Sequence, residues 1–327
     1  MIKKLFIPAA ASVVLFASTQ YTNCSFKTKA YEELCKEAVK KDISVSYINR
    51  FLLSPKAKKR DLESLRLFQP KMIKTHHANE KRANNSLVKF VPQIAAHLEE
   101  FKEVYDFTEA KYGVNREIIA AILAKETRLG KIKPTHDAFI VFNTLLLETK
   151  PLSKRDRWLI SMARKNMVSI MGFCFNNALE PNECSFKSSY AGAVGIPQFM
   201  PQNFSYIEGY KEEVGDLSEM SDAIVSTGRF LHKSAGFTKM IDWEKIPDMK
   251  KVEDEWYDFD FKYKNASFAY AASKKSGKKY NCFACGRKEL GYLSRYVKTI
   301  MRYNNSSNYA IGVIRLAYEA HRMQMRN

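Results

Sequence analysis

The sequence predicts a mainly α-helical fold with a small β-containing insertion. Three observations carry this reading. Apolar residues recur at helical spacing through most of the 327 residues, one late stretch alternates strictly in the manner of a strand, and 46% hydrophobic composition over this length supplies a sizeable core. The expected organisation is a signal segment over 1–24, a helical region over 25–239, the β-containing insertion over 240–295 and a C-terminal helix over 296–327 that returns to the main body. No internal repeat, Gly-rich phosphate loop or G-x-S-x-G elbow interrupts the pattern.

At the N-terminus Lys3 and Lys4 precede an apolar run from Leu5 to Ala17, then Ser18, Thr19 and Gln20, which is the layout of a secretory signal. The run is short for a bilayer span, and Pro8 disfavours a buried helix. Cys24 is a candidate lipidation site, although Tyr21-Thr22-Asn23 lacks the usual leucine and small residue before it. Lys and Arg outnumber Asp and Glu by 53 to 35, a formal charge of +18 that favours an anionic polymer or surface. Export makes nucleic acid a poor partner and points to an envelope polymer instead. In an oxidising compartment Cys174 with Cys184, and Cys282 with Cys285, would each close a short loop; a zinc site built from these four cysteines is the weaker alternative.

Thr28 to Asp42 carries Tyr31, Leu34, Cys35 and Val39 at helical spacing, and Ile43 to Leu53 reads as a second short helix. Lys56 to Arg60 reads as a solvated basic loop, and His76 with His77 as a solvated pair. A polar-apolar helix is expected around Lys71 to Asn84, and another stripe over Leu87 to Lys111 with Pro92 near its start. Phe139 to Leu147 is apolar throughout, Arg155 to Ile170 is helical, and Gly172 to Lys187 is loop-like. Asp222 to Leu231 is a packing helix ending near Gly236. Tyr257, Phe259, Phe261 and Tyr263 alternate with charged residues, so a strand with one wet face belongs to the insertion.

The chemistry concentrates in Tyr112 to Gly130, where Ile118, Ile119, Ile122 and Leu123 sit at helical spacing between entry and exit signals. At about 100° per residue Glu126 falls roughly 20° from Ile119, whereas Glu117 points to the opposite side. Glu126 is therefore a carboxylate on an apolar stripe. Desolvation there raises a carboxyl pKa and suits a general acid; an ion pair with Lys125, Arg128 or a more distant cation is the bland alternative.

Downstream, Ser188 to Pro201 holds two prolines four apart and two glycines, so it is a shaped loop and not a regular helix. Ser189 and Gln198 are its candidate sugar contacts, against a reading as a packing turn. Arg302 to Val313 leads from a polar turn into a helix ending near His321, and on composition alone its asparagines and serines read better as caps than as contacts.

Taken in order, these motifs resemble the membrane-bound lytic murein transglycosylase B family, also called lytic transglycosylase family 3. The family's YGV-x-x-EII-x-x-I-x-x-x-ETRxG helix is matched from Tyr112 to Gly130, with Leu129 where an aromatic is usual. Its SxAGAxGxxQFMPS loop is matched from Ser189 to Pro201, with Gln202 in place of the last serine. Its DAIxSxAxYL helix resembles Asp222 to Leu231, and its YNxSxxYAxxV motif resembles Tyr303 to Val313.

The resemblance implies a lysozyme-like catalytic core, with the implied reaction a non-hydrolytic cleavage of the β-1,4 bond between N-acetylmuramic acid and N-acetylglucosamine that leaves a 1,6-anhydromuramic end. It implies Glu126 as catalytic residue, and Ser189, Gln198, Tyr303 and Asn304 as substrate contacts. Peptidoglycan glycan strands become the expected partner, with other cell-wall enzymes as candidates, and the periplasm or envelope the expected location. No cofactor is expected. No metal is carried over, because Ser205 to Glu219 lacks the acidic calcium-loop pattern. The competing readings are a hydrolytic muramidase and a non-catalytic peptidoglycan-binding scaffold.

Overall fold

Helices stacked around one continuous apolar core, reaching from Leu34 to Ala320, make up the computed structural model, which describes residues 23–69, 82–250, 252 and 288–326. α1 (Lys29–Val39) and α2 (Val45–Leu52) bury Leu34, Cys35, Ile48 and Phe51, and Ser44 caps α2 through the Tyr47 amide. α3 (Leu62–Leu67) is capped by Asp61, whose other oxygen meets His136 Nδ1 at 2.5 Å. A helix over 82–88, α4, leads into α5 (Val91–Glu100), with Pro92 in its first turn.

The stripe expected over 87–111 covers the end of α4 and two further helices. The chain breaks at Phe101, which closes α5 and starts α6 (Lys102–Tyr112), so one periodic pattern serves two axes. α7 (Arg116–Thr127) follows after Gly113 in the left-handed conformation. α8 (Ala138–Glu148) is almost wholly buried.

α9 (Lys154–Asn176) opens with a capping box between Ser153 and Asp156 and runs past Gly172 to Asn176. The expectation of a loop from residue 172 is therefore corrected: the helix continues through Gly172 to Asn176, and the loop begins only after it. A two-stranded antiparallel sheet pairs β1 (His136–Asp137) with β2 (Lys187–Ser188), matching His136 with Ser188. These strands are too short to leave a period in the sequence.

α10 (Met220–Lys233) buries Ile224, Phe230 and Leu231. α11 (Lys288–Ile300) runs across the boundary expected at 295 between the insertion and the C-terminal helix, and α12 (Ser307–Gln324) crosses α7. The signal segment up to residue 22, the helix expected around Lys71 to Asn84 up to residue 81, the strand over 257–263 and Cys282 with Cys285 lie outside the described residues, while 82–84 belong to α4. Among the described residues no helix is long and apolar enough to cross a membrane.

Two disulfides tie the chain. Cys174–Cys184 joins the end of α9 to the segment before β2, as its spacing suggested. Cys24–Cys35 fastens the N-terminal segment to α1. That pairing corrects the reading of Cys24 as a lipid anchor, because a sulfur bonded to Cys35 has no valence left for a thioether to a lipid.

Candidate active site

α7 is apolar on nearly every side, with Ile118, Ile119, Ile122 and Leu123 all fully buried, so its position is fixed by packing. Asn115 at its start exchanges two hydrogen bonds with the backbone of Ile241, at 3.1 and 2.6 Å. At its end Arg128, Leu129 and Gly130 all take positive φ, and the Thr127 hydroxyl accepts from the Gly130 amide. This left-handed turn stops the helix at Thr127, one residue after Glu126.

Glu126 is half-buried there. The Tyr309 hydroxyl, from the first turn of α12, donates to Glu126 Oε1 at 2.6 Å. Lys125 lies 4.9 Å above the Tyr309 ring and donates to the side chain of Asn84 on α4. Asn84 is itself buried and donates to the Asn308 carbonyl at 3.0 Å, so three helices converge on the carboxylate.

The 189–201 loop closes a second side. Val194 and Phe199 exchange backbone hydrogen bonds of 2.8 and 3.0 Å, and Ser189 with Ala193 makes a narrower turn. Gly192 and Gly195 both have positive φ, and a Cβ on either would collide, with the Phe142 ring and with Leu217 respectively. The Thr127 hydroxyl donates to the Ile196 carbonyl at 2.9 Å, which fixes the loop to the residue beside Glu126.

Tyr303 joins the loop to the carboxylate. Its hydroxyl donates to the Pro197 carbonyl, and its ring lies nearly parallel to that of Tyr309, with centroids 6.5 Å apart. Burial, and next the negative charge of Glu126, push its pKa well above the ordinary tyrosine value. The hydroxyl thus remains a neutral donor at physiological pH.

The expected substrate contacts differ in how they stand. Gln198 has φ +53 and donates to the Gly195 carbonyl at 2.8 Å, while its Oε1 has no hydrogen-bond partner among the described residues. The half-buried Ser189 hydroxyl likewise has none. Asn304 is exposed beside Tyr303. Tyr309 was not singled out from sequence, although it stands within the Tyr303 to Val313 motif; that motif was the available signal.

Two carboxylates that follow the 189–201 loop in sequence, Glu208 and Asp222, are held by other partners. Glu208 meets Lys111, Tyr112 and Arg229; burial opposes its charge, yet these partners lower its pKa. Asp222 accepts from the amides of Tyr210 and Asp216, both at 2.8 Å. Among the described residues no cluster of three or more His, Cys, Asp or Glu side chains is arranged to hold a metal ion.

The transglycosylase SLT domain matches residues 26–318, which includes every site residue just described. The chain belongs to the transglycosylase SLT-domain family. As a member of that family it is a lytic transglycosylase of peptidoglycan, a lyase, from a group of extracytoplasmic enzymes. The family fold is seen in Escherichia coli Slt35 bound to bulgecin A, which is 18% identical, with a TM-score of 0.62 over 95% of this chain and 98% of that one. Pseudomonas aeruginosa SltB3 bound to NAG-anhNAM-pentapeptide is also 18% identical, with a TM-score of 0.58 over 88% and 77% of the two chains. The soluble lytic transglycosylase SltB1 of the same organism is 21% identical, with a TM-score of 0.53 over 72% and 80%. At these identities the likeness shows the fold, which is the lysozyme-like one expected. A search of the curated proteins gives no match.

Proposed function

We propose that this SLT-domain protein acts in the manner of the murein transglycosylase B group, cleaving the β-1,4 bond between N-acetylmuramic acid and N-acetylglucosamine with Glu126 as its single acid and base. The observation that supports this most is the Tyr309 hydroxyl on Glu126 Oε1. The hydrogen bond donated by Tyr309 orients the carboxyl group, whose acidic proton is the one delivered to the bridging oxygen of the sugar. Glu126 protonates that oxygen as the bond breaks, and the muramyl acetamido group stabilises the cation. The Glu126 carboxylate then takes the proton from the muramyl C6 hydroxyl, whose oxygen closes on C1 as the 1,6-anhydro ring.

Hydrolytic glycosidases ordinarily need a second carboxylate to attack or to activate water. The commitment of Glu208 and Asp222 to other partners suits a one-carboxylate reaction. Ser189 and Gln198 contact the sugar from the loop, and Tyr303 and Asn304 from the start of the C-terminal motif. SltB3 has been solved with NAG-NAM-pentapeptide and NAG-anhNAM-pentapeptide, which lends weight to a peptide-bearing glycan strand as the substrate here. The two disulfides suit a periplasmic setting.

The test is mass analysis of the muropeptides released from purified peptidoglycan. Ends lighter by one water are expected. Hydrated muramic ends would make the enzyme a muramidase, and no release would leave only a binding protein.

A further inference from the structure

α9 begins with an apolar surface that the fold does not cover. Leu152 is 83% exposed and Trp158 57% exposed. In a helix with a capping box, the residue before the N-cap commonly packs on the fourth helical residue. Here that fourth residue is Arg157, which donates to the Pro151 carbonyl, so Leu152 has no apolar partner in its own helix and projects outward.

The charges around this pair are mostly positive. Lys154, Trp158, Ser161 and Lys165 follow one another at i, i+4, i+7 and i+11; with Arg157 they span an arc of about 100° on the outward face of α9. Lys150 stands two residues before Leu152, where it accepts the Leu152 amide on its carbonyl. Lys150, Lys154 and Lys165 form no side-chain hydrogen bond or ion pair among the described residues. The bordering acids are already held: Glu148 by Arg60 at 2.8 Å, Asp156 inside the capping box, and Glu33 and Glu37 by Arg164.

We propose that this entry turn and first outward face of α9, with Leu152 and Trp158 ringed by Lys150, Lys154, Arg157 and Lys165, is a peripheral docking surface for an anionic phospholipid bilayer. An indole at the level of the headgroups, a leucine below it and long cationic stems reaching phosphates are the parts such a surface uses. A glycan fits less well. Sugars are bound in concave sites by fixed polar groups, whereas this surface is the outer side of a helix and its polar groups are flexible lysines. The proposal is independent of the catalytic reading, and it gives the chain a route to the membrane that does not need Cys24.

Vesicle co-sedimentation tests it, using phosphatidylglycerol with phosphatidylethanolamine in equal parts against phosphatidylcholine alone. The unaltered protein should pellet with the anionic vesicles, less so as salt rises, and its tryptophan emission should shift to the blue. Leu152→Ser with Trp158→Ser should weaken that partition by about tenfold or more while leaving cleavage of solubilised peptidoglycan unchanged. Trp158→Phe should abolish most of the blue shift. Equal partition of the double variant and the unaltered protein would overturn the proposal, as would equal binding to neutral vesicles. A double variant that keeps vesicle binding but no longer pellets with sacculi would overturn it in favour of a glycan surface.

Discussion

Two glutamates nine positions apart on α7 both reach side chains of α12, and they make a useful comparison. Glu117 is 5% exposed and meets His321 Nδ1 at 2.9 Å, with the indole of Trp243 stacked on the imidazole. Glu126 is half-buried and takes the hydroxyl of Tyr309. Sequence places them on opposite sides of α7, yet both sides are covered, so Glu117 is the more deeply buried. Burial alone therefore does not single out the carboxylate proposed here as reactive. What distinguishes Glu126 is partial access, together with a turn, a loop and two tyrosines built around it, whereas Glu117 is enclosed at a helix contact.

Exchanging the roles of the two residues is the sharpest way to break that comparison. Glu126→Gln should lower the rate of sacculus cleavage by about a thousandfold or more while leaving the melting temperature nearly unchanged, because an amide keeps the shape but not the proton. Glu117→Ala should do the reverse. It strands His321 and leaves a void, so chemical denaturation should show a loss of about 3 kcal/mol with kcat of the folded fraction preserved. If Glu117→Ala removed activity without destabilising the protein, the division of labour would be wrong.

Tyr309→Phe should come next, lowering kcat by about tenfold to a hundredfold with little change in KM, since it removes the hydrogen bond that orients the carboxyl but not the ring beside Lys125. Steady-state kinetics on a soluble glycan fragment separates the two parameters.

A smaller effect should come from His97, away from both glutamates. Burial holds its pKa down, to about 4 from the ordinary 6.5, and it shares a hydrogen bond of 3.0 Å with Tyr105. The unfolded chain therefore binds a proton between pH 6.5 and 4 that the folded chain does not. Stability is fully present above 6.5 and falls as the pH drops toward 4, by up to about 2 kcal/mol. Denaturation midpoints across that range should slope less steeply in His97→Gln. The smallest expected effect is on encounter: with a charge of +18, sacculus binding should weaken as salt rises.

Much of this site was legible from sequence because its parts are local. Ile119 and Glu126 share a stripe by periodicity, and Gly192 and Gly195 announce a shaped loop whatever surrounds them. Tyr309 was harder, since its link to Glu126 spans 183 positions and a tyrosine at the start of a helix carries no local sign of its partner. Asn84 was hidden for the same reason. Phe101 shows another limit, because an apolar period continues across a break that only packing reveals. The helical run through Gly172 is the converse: a residue that reads as punctuation lies inside a helix that continues to Asn176. Connectivity of Cys24 with Cys35 is a matter of tertiary proximity, which spacing does not determine.

The claim beneath all of this is that one carboxyl group, with no activated water, breaks the glycan. Digesting purified peptidoglycan in heavy-oxygen water and reading the label at each new muramyl end tests it directly. The account predicts no label, because the closing oxygen is the sugar's own C6 hydroxyl; heavy oxygen at every new end would contradict it.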